Sequence, residues 1–189
     1  MNYQYSRTPK LMDLIKLREK HHQYNIAVKI VMLGGRATLI ESFLGINKRS
    51  ASILFKTIAQ RSSSGGLLPY DTTWIIKSPI NCLHSSYFYS IFNKIEIGAY
   101  ENTDKKTIFL SAYTIYKDIF GKDLFPIDRA WHVYLQISCG FYKFVKCNRC
   151  DSNFLTITNY PIFYQTCPIC DVEVDCTDRK RWIQKRKVA

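Results

Sequence analysis

Residues 141–170, FYKFVKCNRCDSNFLTITNYPIFYQTCPIC, decide how the rest of the chain is read. Cys147-Asn-Arg-Cys150 is followed, after sixteen residues, by Cys167-Pro-Ile-Cys170. Two residues between paired cysteines let one tight turn present both sulfurs to a single ion, at about 2.3 Å in the case of zinc. The intervening hairpin brings the second turn opposite the first and closes a tetrahedron. Four protein ligands leave no position for water or substrate, so the spacing predicts one structural Zn2+ per chain and no catalytic metal. Residues 141–145 and 154–158 read as short strands, which makes the segment a small four-cysteine, zinc-ribbon-like module. Lys143, Lys146 and Arg149 crowd the first turn and offset the charge that four thiolates leave on the ion, with a phosphate contact as the alternative role of Arg149. Cys176 stands six residues beyond the second pair as a candidate substitute ligand.

Upstream of this module the pattern is helical. Residues 104–120 carry Ile108, Ala112, Ile115 and Ile119 on one stripe and Phe109, Tyr113, Tyr116 and Phe120 on the next, and Gly121 stops them. So wide an apolar face must pack internally or against another chain, and internal core is the reading preferred. Pro126 opens a further helix that runs to Gly140, and Ser78-Pro79 opens one that runs to about Ile95. Leu11, Leu14, Ile15 and Leu17 begin an amphipathic stretch that is expected to end near His21 and His22, and Ile26, Ile30 and Leu33 follow at helical spacing up to Gly34-Gly35. Cys82 and Cys139 fall in apolar helical stretches and are expected in the core. The fold class is therefore mainly α: a helical body over 1–140, the zinc module over 141–178 and a basic tail over 179–189.

The chain has 189 residues and a net charge of +12. Residues 1–60 hold ten basic and three acidic side chains, and residues 140–189 nine and five, whereas the middle is near neutral. Cationic ends about a neutral body fit a polyanion gripped from two places. No 18-residue apolar run exists, so no membrane span is expected. Arg7, Lys10, Lys16, Arg18 and Lys20 argue against a secretory signal, which predicts a cytoplasmic protein whose cysteines bind metal rather than one another. No Walker loop, GxSxG or HExxH occurs, and the four histidines have no nucleophile beside them in a recognisable pattern, so no catalytic site is read and an enzyme is not expected.

Residues 37–58, ATLIESFLGINKRSASILFKTI, read as helix, Gly45 turn, helix. A DNA-binding helix-turn-helix would present Asn47, Lys48, Arg49, Ser50 and Ser52 at the start of its second helix, where side chains meet base edges. An ordinary helical hairpin with a solvated charged face is the competing reading, and Glu41, four residues before Gly45, departs from the small residue that close helix crossing favours. The tail contributes Arg179, Lys180, Arg181, Lys185, Arg186 and Lys187, read as phosphate contacts or as a solubilising run, with Trp182 among them.

Taken in order, LGGRATLIES (33–42), LLPY (67–70) with Trp74, DRAWHVY (128–134) and the pairs CNRC and CPIC resemble the FlhC family, the zinc-containing subunits of the bacterial flagellar master activator. The resemblance implies Cys147, Cys150, Cys167 and Cys170 as zinc ligands. It also implies an FlhD-like partner in a hetero-oligomer that binds double-stranded promoter DNA and helps recruit RNA polymerase, with the apolar helices between Pro79 and Gly140 as candidates for subunit contacts. The implied function is a DNA-binding transcriptional activator subunit at flagellar class II operons. Alternatives are an activator of a mobile or conjugative element, a zinc-ribbon RNA-binding module, or a structural assembly subunit.

Overall fold

The computed structural model describes residues 11–101, 103–121, 124–161 and 167–171. In chain order these form α1 (Leu11–Met32), α2 (Ala37–Leu44), α3 (Lys48–Ala59), a short 3-10 helix (Thr72–Ile76), α4 (Pro79–Gly98), α5 (Lys105–Phe120), α6 (Ile127–Ser138), β1 (Tyr142–Lys146), β2 (Asn153–Ile157) and α7 (Pro168–Asp171). The mainly helical class with a small cysteine-bearing sheet is as the sequence indicates. The chain divides into two compact units. One takes residues up to Pro69 together with Pro126–Trp131; the other takes Tyr70–Phe125 and the residues from His132 onward.

In the first unit, α1 is one helix and does not stop at His21-His22. No Gly or Pro interrupts residues 21–32, so nothing there breaks the hydrogen-bond ladder. Residues 11–22 are exposed, apolar side chains included, and burial begins at Ile26, Ala27 and Ile30. Gly34 has φ 91°, which reverses the chain after α1. Gly35 serves a different need: a Cβ there would stand 2.5 Å from Ile30 Cγ2 and 2.9 Å from Leu39 Cδ2, so only hydrogen fits between α1 and α2. Leu39, Ile40 and Phe43 of α2 and Ala51 and Phe55 of α3 fill the core. The ring of Trp131 lies 4.7 Å from that of Phe43, and its Nε1–H donates to Ser42 Oγ at 2.9 Å.

Arg36 ties three separate stretches of this unit together. Its Nε donates to the Asp128 carboxylate, 92 residues away in sequence, and its Nη2 donates to Leu67 O at 3.1 Å. Arg36 occupies the N-cap position of α2 but offers no side-chain acceptor there. Ser63 supplies it instead, accepting from Ala37 N–H at 3.0 Å. The loop of residues 61–66, RSSSGG, is thus fastened at a helix start by a cap that arrives from outside the helix.

In the second unit, α4 and α5 pack through aromatic side chains. Phe88 is the centre, with Phe109 at 5.5 Å, Tyr113 at 6.2 Å and Phe125 at 5.8 Å between ring centroids, mostly edge-on or tilted. Tyr113 O–H donates to Phe125 O at 2.8 Å. Tyr116 O–H meets His84 Nδ1 at 2.7 Å; burial lowers the His84 pKa and pushes the Tyr116 phenol up to about 12, so a neutral ring accepts from a neutral phenol. The two stripes of α5 therefore part company. Phe109, Tyr113 and Tyr116 are core, and the other stripe is divided: Ile108 and Ala112 are buried, whereas Ile115 and Ile119 are exposed at 43% and 54%. Asp104 caps α5 through Lys106 N–H, while Ser78 stands at the α4 N-cap without a side-chain bond. His132 is a core residue whose Nε2 lies 3.2 Å from Asp71 O. Cys82 is buried as expected. Cys139 is not: it lies in the turn just past the end of α6 and is exposed.

Candidate metal centre and basic helix face

At Gly140 the chain leaves α6 and becomes a hairpin. β1 and β2 pair antiparallel with Tyr142 opposite Ile157 and Lys146 opposite Asn153. The turn between them is built around the first cysteine pair. Asp151 N–H donates to Cys147 O at 3.0 Å, Cys147 N–H donates to Ser152 O at 2.8 Å, and Asp151 adopts φ 60° to close the loop. The second pair brackets the start of α7, where Pro168 stands at the first helical position and sacrifices no helix hydrogen bond.

The four sulfurs lie within 4.8 Å of one another and could hold a metal ion. A tetrahedral ion with bonds of about 2.3 Å needs sulfur–sulfur edges of about 3.8 Å. Cys147 Sγ stands 3.8 Å from Cys170 Sγ, and Cys150 Sγ stands 3.6 Å from Cys167 Sγ. The cluster thus has the dimensions of such a coordination sphere. Arg149 N–H, 3.4 Å from Cys147 Sγ, lowers the Cys147 pKa, with Cys150 N–H assisting. Ser152 brings Cys150 down to about 6 through its hydroxyl and then its N–H. In the opposite direction, burial raises Cys167, and contact with Cys150 pushes Cys170 up to about 12. Four sulfurs so close cannot all carry charge without a cation among them, and a cation would make thiolates of all four.

Around the first turn, Lys146 Nζ pairs with Asp151 at 3.0 Å, an exposed contact that contributes little to stability. The side chains of Lys143 and Arg149 are exposed.

Sequence reasoning overlooked what seats this hairpin. Helix α4 presents Cys82 and Ser86, one turn apart, to the outer edge of β2. Cys82 Sγ donates to Leu155 O at 3.4 Å, and Ser86 Oγ accepts from Leu155 N–H at 2.9 Å while donating to Cys82 O at 2.6 Å. Two helical side chains thereby satisfy both backbone groups of a strand residue facing away from β1. Cys82 also joins Cys147, Cys167 and Phe154 in one buried cluster, and burial raises its pKa to about 11, so it remains a neutral thiol. Replacing Ser86 with Ala leaves the buried Leu155 N–H without its acceptor. It is expected to cost about 1–3 kcal/mol in denaturant unfolding and to accelerate hydrogen exchange at the Leu155 amide. The only sequence signal was Cys82 itself, which as an apolar helix residue reads simply as core.

The helix-turn-helix-like segment belongs to the other unit. Gly45, at φ 67°, ends α2, and Asn47 caps α3 by accepting from Ser50 N–H at 2.8 Å. Of the five residues expected at the face, Asn47 is engaged in this cap and Ser50 is half-buried beside it, whereas Lys48, Arg49 and Ser52 are exposed. Helical periodicity adds two more. Arg49, Ser52, Ile53 and Lys56 stand at i, i+3, i+4 and i+7, all exposed, on the side opposite buried Ala51 and Phe55. The face carries no acid, and Lys48, Arg49 and Lys56 form no ion pair among the described residues. Lys56 was legible in principle, being seven residues from Arg49. The tail cations Arg179, Lys180, Arg181, Lys185, Arg186 and Lys187, and also Cys176, lie outside the described residues.

Comparison with known proteins draws these features together. A family model described as flagellar transcriptional activator (FlhC) matches residues 13–182. Similar curated proteins include the flagellar transcriptional regulator FlhC of Gallionella capsiferriformans, 29% identical over 153 residues that span 78% of this chain and 82% of the relative. The protein of the same name from Erwinia tasmaniensis is 27% identical over 160 residues, covering 82% and 88%. That of Proteus mirabilis is 23% identical over 169 residues, covering 87% and 83%.

Proposed function

Since the chain belongs to the FlhC family of flagellar transcriptional activators, we propose that it is a DNA-binding activator subunit whose second hairpin helix, α3, faces the duplex. The observation that carries this reading is the acid-free exposed face of α3 with Arg49, Ser52, Ile53 and Lys56. Two cations on that side, with Lys48 exposed at the first position of the capped helix, suit phosphates flanking a groove. In this reading the chain acts in the cytoplasm with an FlhD-like subunit in a hetero-oligomer at promoters of flagellar class II operons, where the complex helps to recruit RNA polymerase. Cys147, Cys150, Cys167 and Cys170 hold one structural Zn2+. With all positions taken by protein sulfur, the ion supplies rigidity to the hairpin and no chemistry. Arg149, exposed at the rim of the first turn, and the tail cations supply further phosphate contacts.

The test is the salt dependence of binding to a flagellar promoter duplex by the chain co-expressed with its FlhD-like partner. The logarithm of affinity is expected to fall linearly with the logarithm of salt concentration, at about 0.9 per phosphate neutralised. Converting Lys48 and Arg49 to Glu should flatten the slope by about 2 and weaken promoter binding more than random-duplex binding. An affinity indifferent to salt overturns the reading, and equal losses on both duplexes reduce α3 to a backbone contact.

A further inference from the structure

Ile53 is a single apolar side chain on a helix face that is otherwise polar or cationic. It is 57% exposed at the centre of the α3 face, bounded by Arg49, Ser52 and Lys56, with Thr57 exposed beside it. The fully buried residues of α3, Ala51 and Phe55, lie on the opposite side, and a β-branched residue on an exposed helix face is a weak helix former. A protein-docking surface would gather several such side chains, yet the others on this face are polar or cationic.

We infer that Ile53 is a specificity-determining residue that packs against the 5-methyl group of a thymine in the major groove. This rests on the reading of α3 as the helix that faces DNA. Charge complementarity selects the occupant, because a single apolar group ringed by unpaired cations matches a thymine methyl, the one apolar projection in a groove walled by phosphates. Arg49 on the same face has the fork geometry that suits guanine O6 and N7. Four residues of helix separate the two side chains by about 6 Å along the axis, about two base steps. The recognition element is therefore expected to place a guanine and a thymine about two base pairs apart.

The experiment uses the full chain co-expressed with its FlhD-like partner and a duplex selected by that complex from a randomised library. Each thymine in turn is replaced with deoxyuridine, which removes the methyl and keeps the pairing. Wild-type protein is expected to lose about fourfold in affinity at one position, the worth of one buried methyl. Ile53→Ala should lose about as much on the thymine duplex and bind thymine and uracil forms equally. Wild-type binding that is the same for every substituted duplex overturns the inference, and because the change is made in the DNA that result does not depend on how any variant folds. If Arg49→Glu nonetheless weakens binding, the DNA-facing reading of α3 stands without the methyl contact; if Arg49→Glu and Lys56→Glu both leave binding untouched, that reading falls as well. Dissociation of the Ile53→Ala complex on size-exclusion chromatography, with the thymine–uracil difference retained, would assign the side chain to a protein interface and equally overturn the inference.

Discussion

Stripping the metal with a chelator, or replacing Cys150 with Ser, is expected to unfold the hairpin of β1 and β2 and to loosen α4 with it. A two-stranded sheet is marginal at best on its own in water, and β1 and β2 are five residues each. Structural zinc sites in small peptides supply about 10–16 kcal/mol of binding free energy, far more than the few buried side chains here can replace. Without the ion, the four sulfurs, with Cys147 and Cys167 both 7% exposed, cannot all ionise, and nothing joins the two pairs. The loss reaches α4 through Leu155, whose backbone is held by Cys82 and Ser86. Metal analysis of purified protein should return about one zinc per chain, and a cobalt-substituted sample should show the spectrum of four sulfur ligands. Hydrogen exchange after chelation should rise across β1 and β2 first and then at residues 82–86. A metal-free protein that retains its full exchange protection would refute the structural role of the four cysteines.

The second large effect is expected at Arg36. Its substitution by Ala removes the partner of Asp128, whose side chain is 11% exposed and whose second oxygen, Oδ1, has no hydrogen-bond partner among the described residues. A carboxylate so placed cannot turn to water without disturbing the start of α6. Breaking a largely buried ion pair from one side costs about 3–5 kcal/mol. The donors to Leu67 O and Gly65 O are lost as well, so the loop that carries the Ser63 cap is released from the start of α2. Denaturant unfolding of the full chain should show the loss as a lowered midpoint. The paired change Arg36→Met with Asp128→Leu should recover much of it, because no charge is then left buried. A single Arg36→Ala variant as stable as the wild type would show that the ion pair is only superficial.

Both effects pass through contacts that join distant positions, and these are what the sequence concealed. LGGR, LLPY and DRAW stand out as motifs, yet nothing local says that Arg36 reaches Leu67 and Asp128 at once. The cysteine spacing announces a metal cluster, yet Cys82 reads as one more small core residue, 73 residues before the strand it holds. The misread positions have local explanations of the same kind. Periodicity finds both stripes of α5 apolar, but it cannot tell how far along each one burial runs, and Ile108 and Ala112 are covered while Ile115 and Ile119 stay outside. Cys139 ends an apolar helix pattern but lies just beyond the last turn, where the helix no longer turns it inward.

The sequence alone pointed to the main helices, the two strands and the four cysteines that come together. Apolar spacing, capping residues, glycine stops and two CxxC turns act within a few residues, so they can be read one segment at a time. Only the tertiary structure decided which faces are core, that Ser63 caps α2, that α4 grips β2 through Cys82 and Ser86, and that Arg49, Ser52, Ile53 and Lys56 share the open side of α3. Those outcomes depend on which segment arrives opposite which, and burial is settled by the neighbour that arrives rather than by the pattern that awaits it.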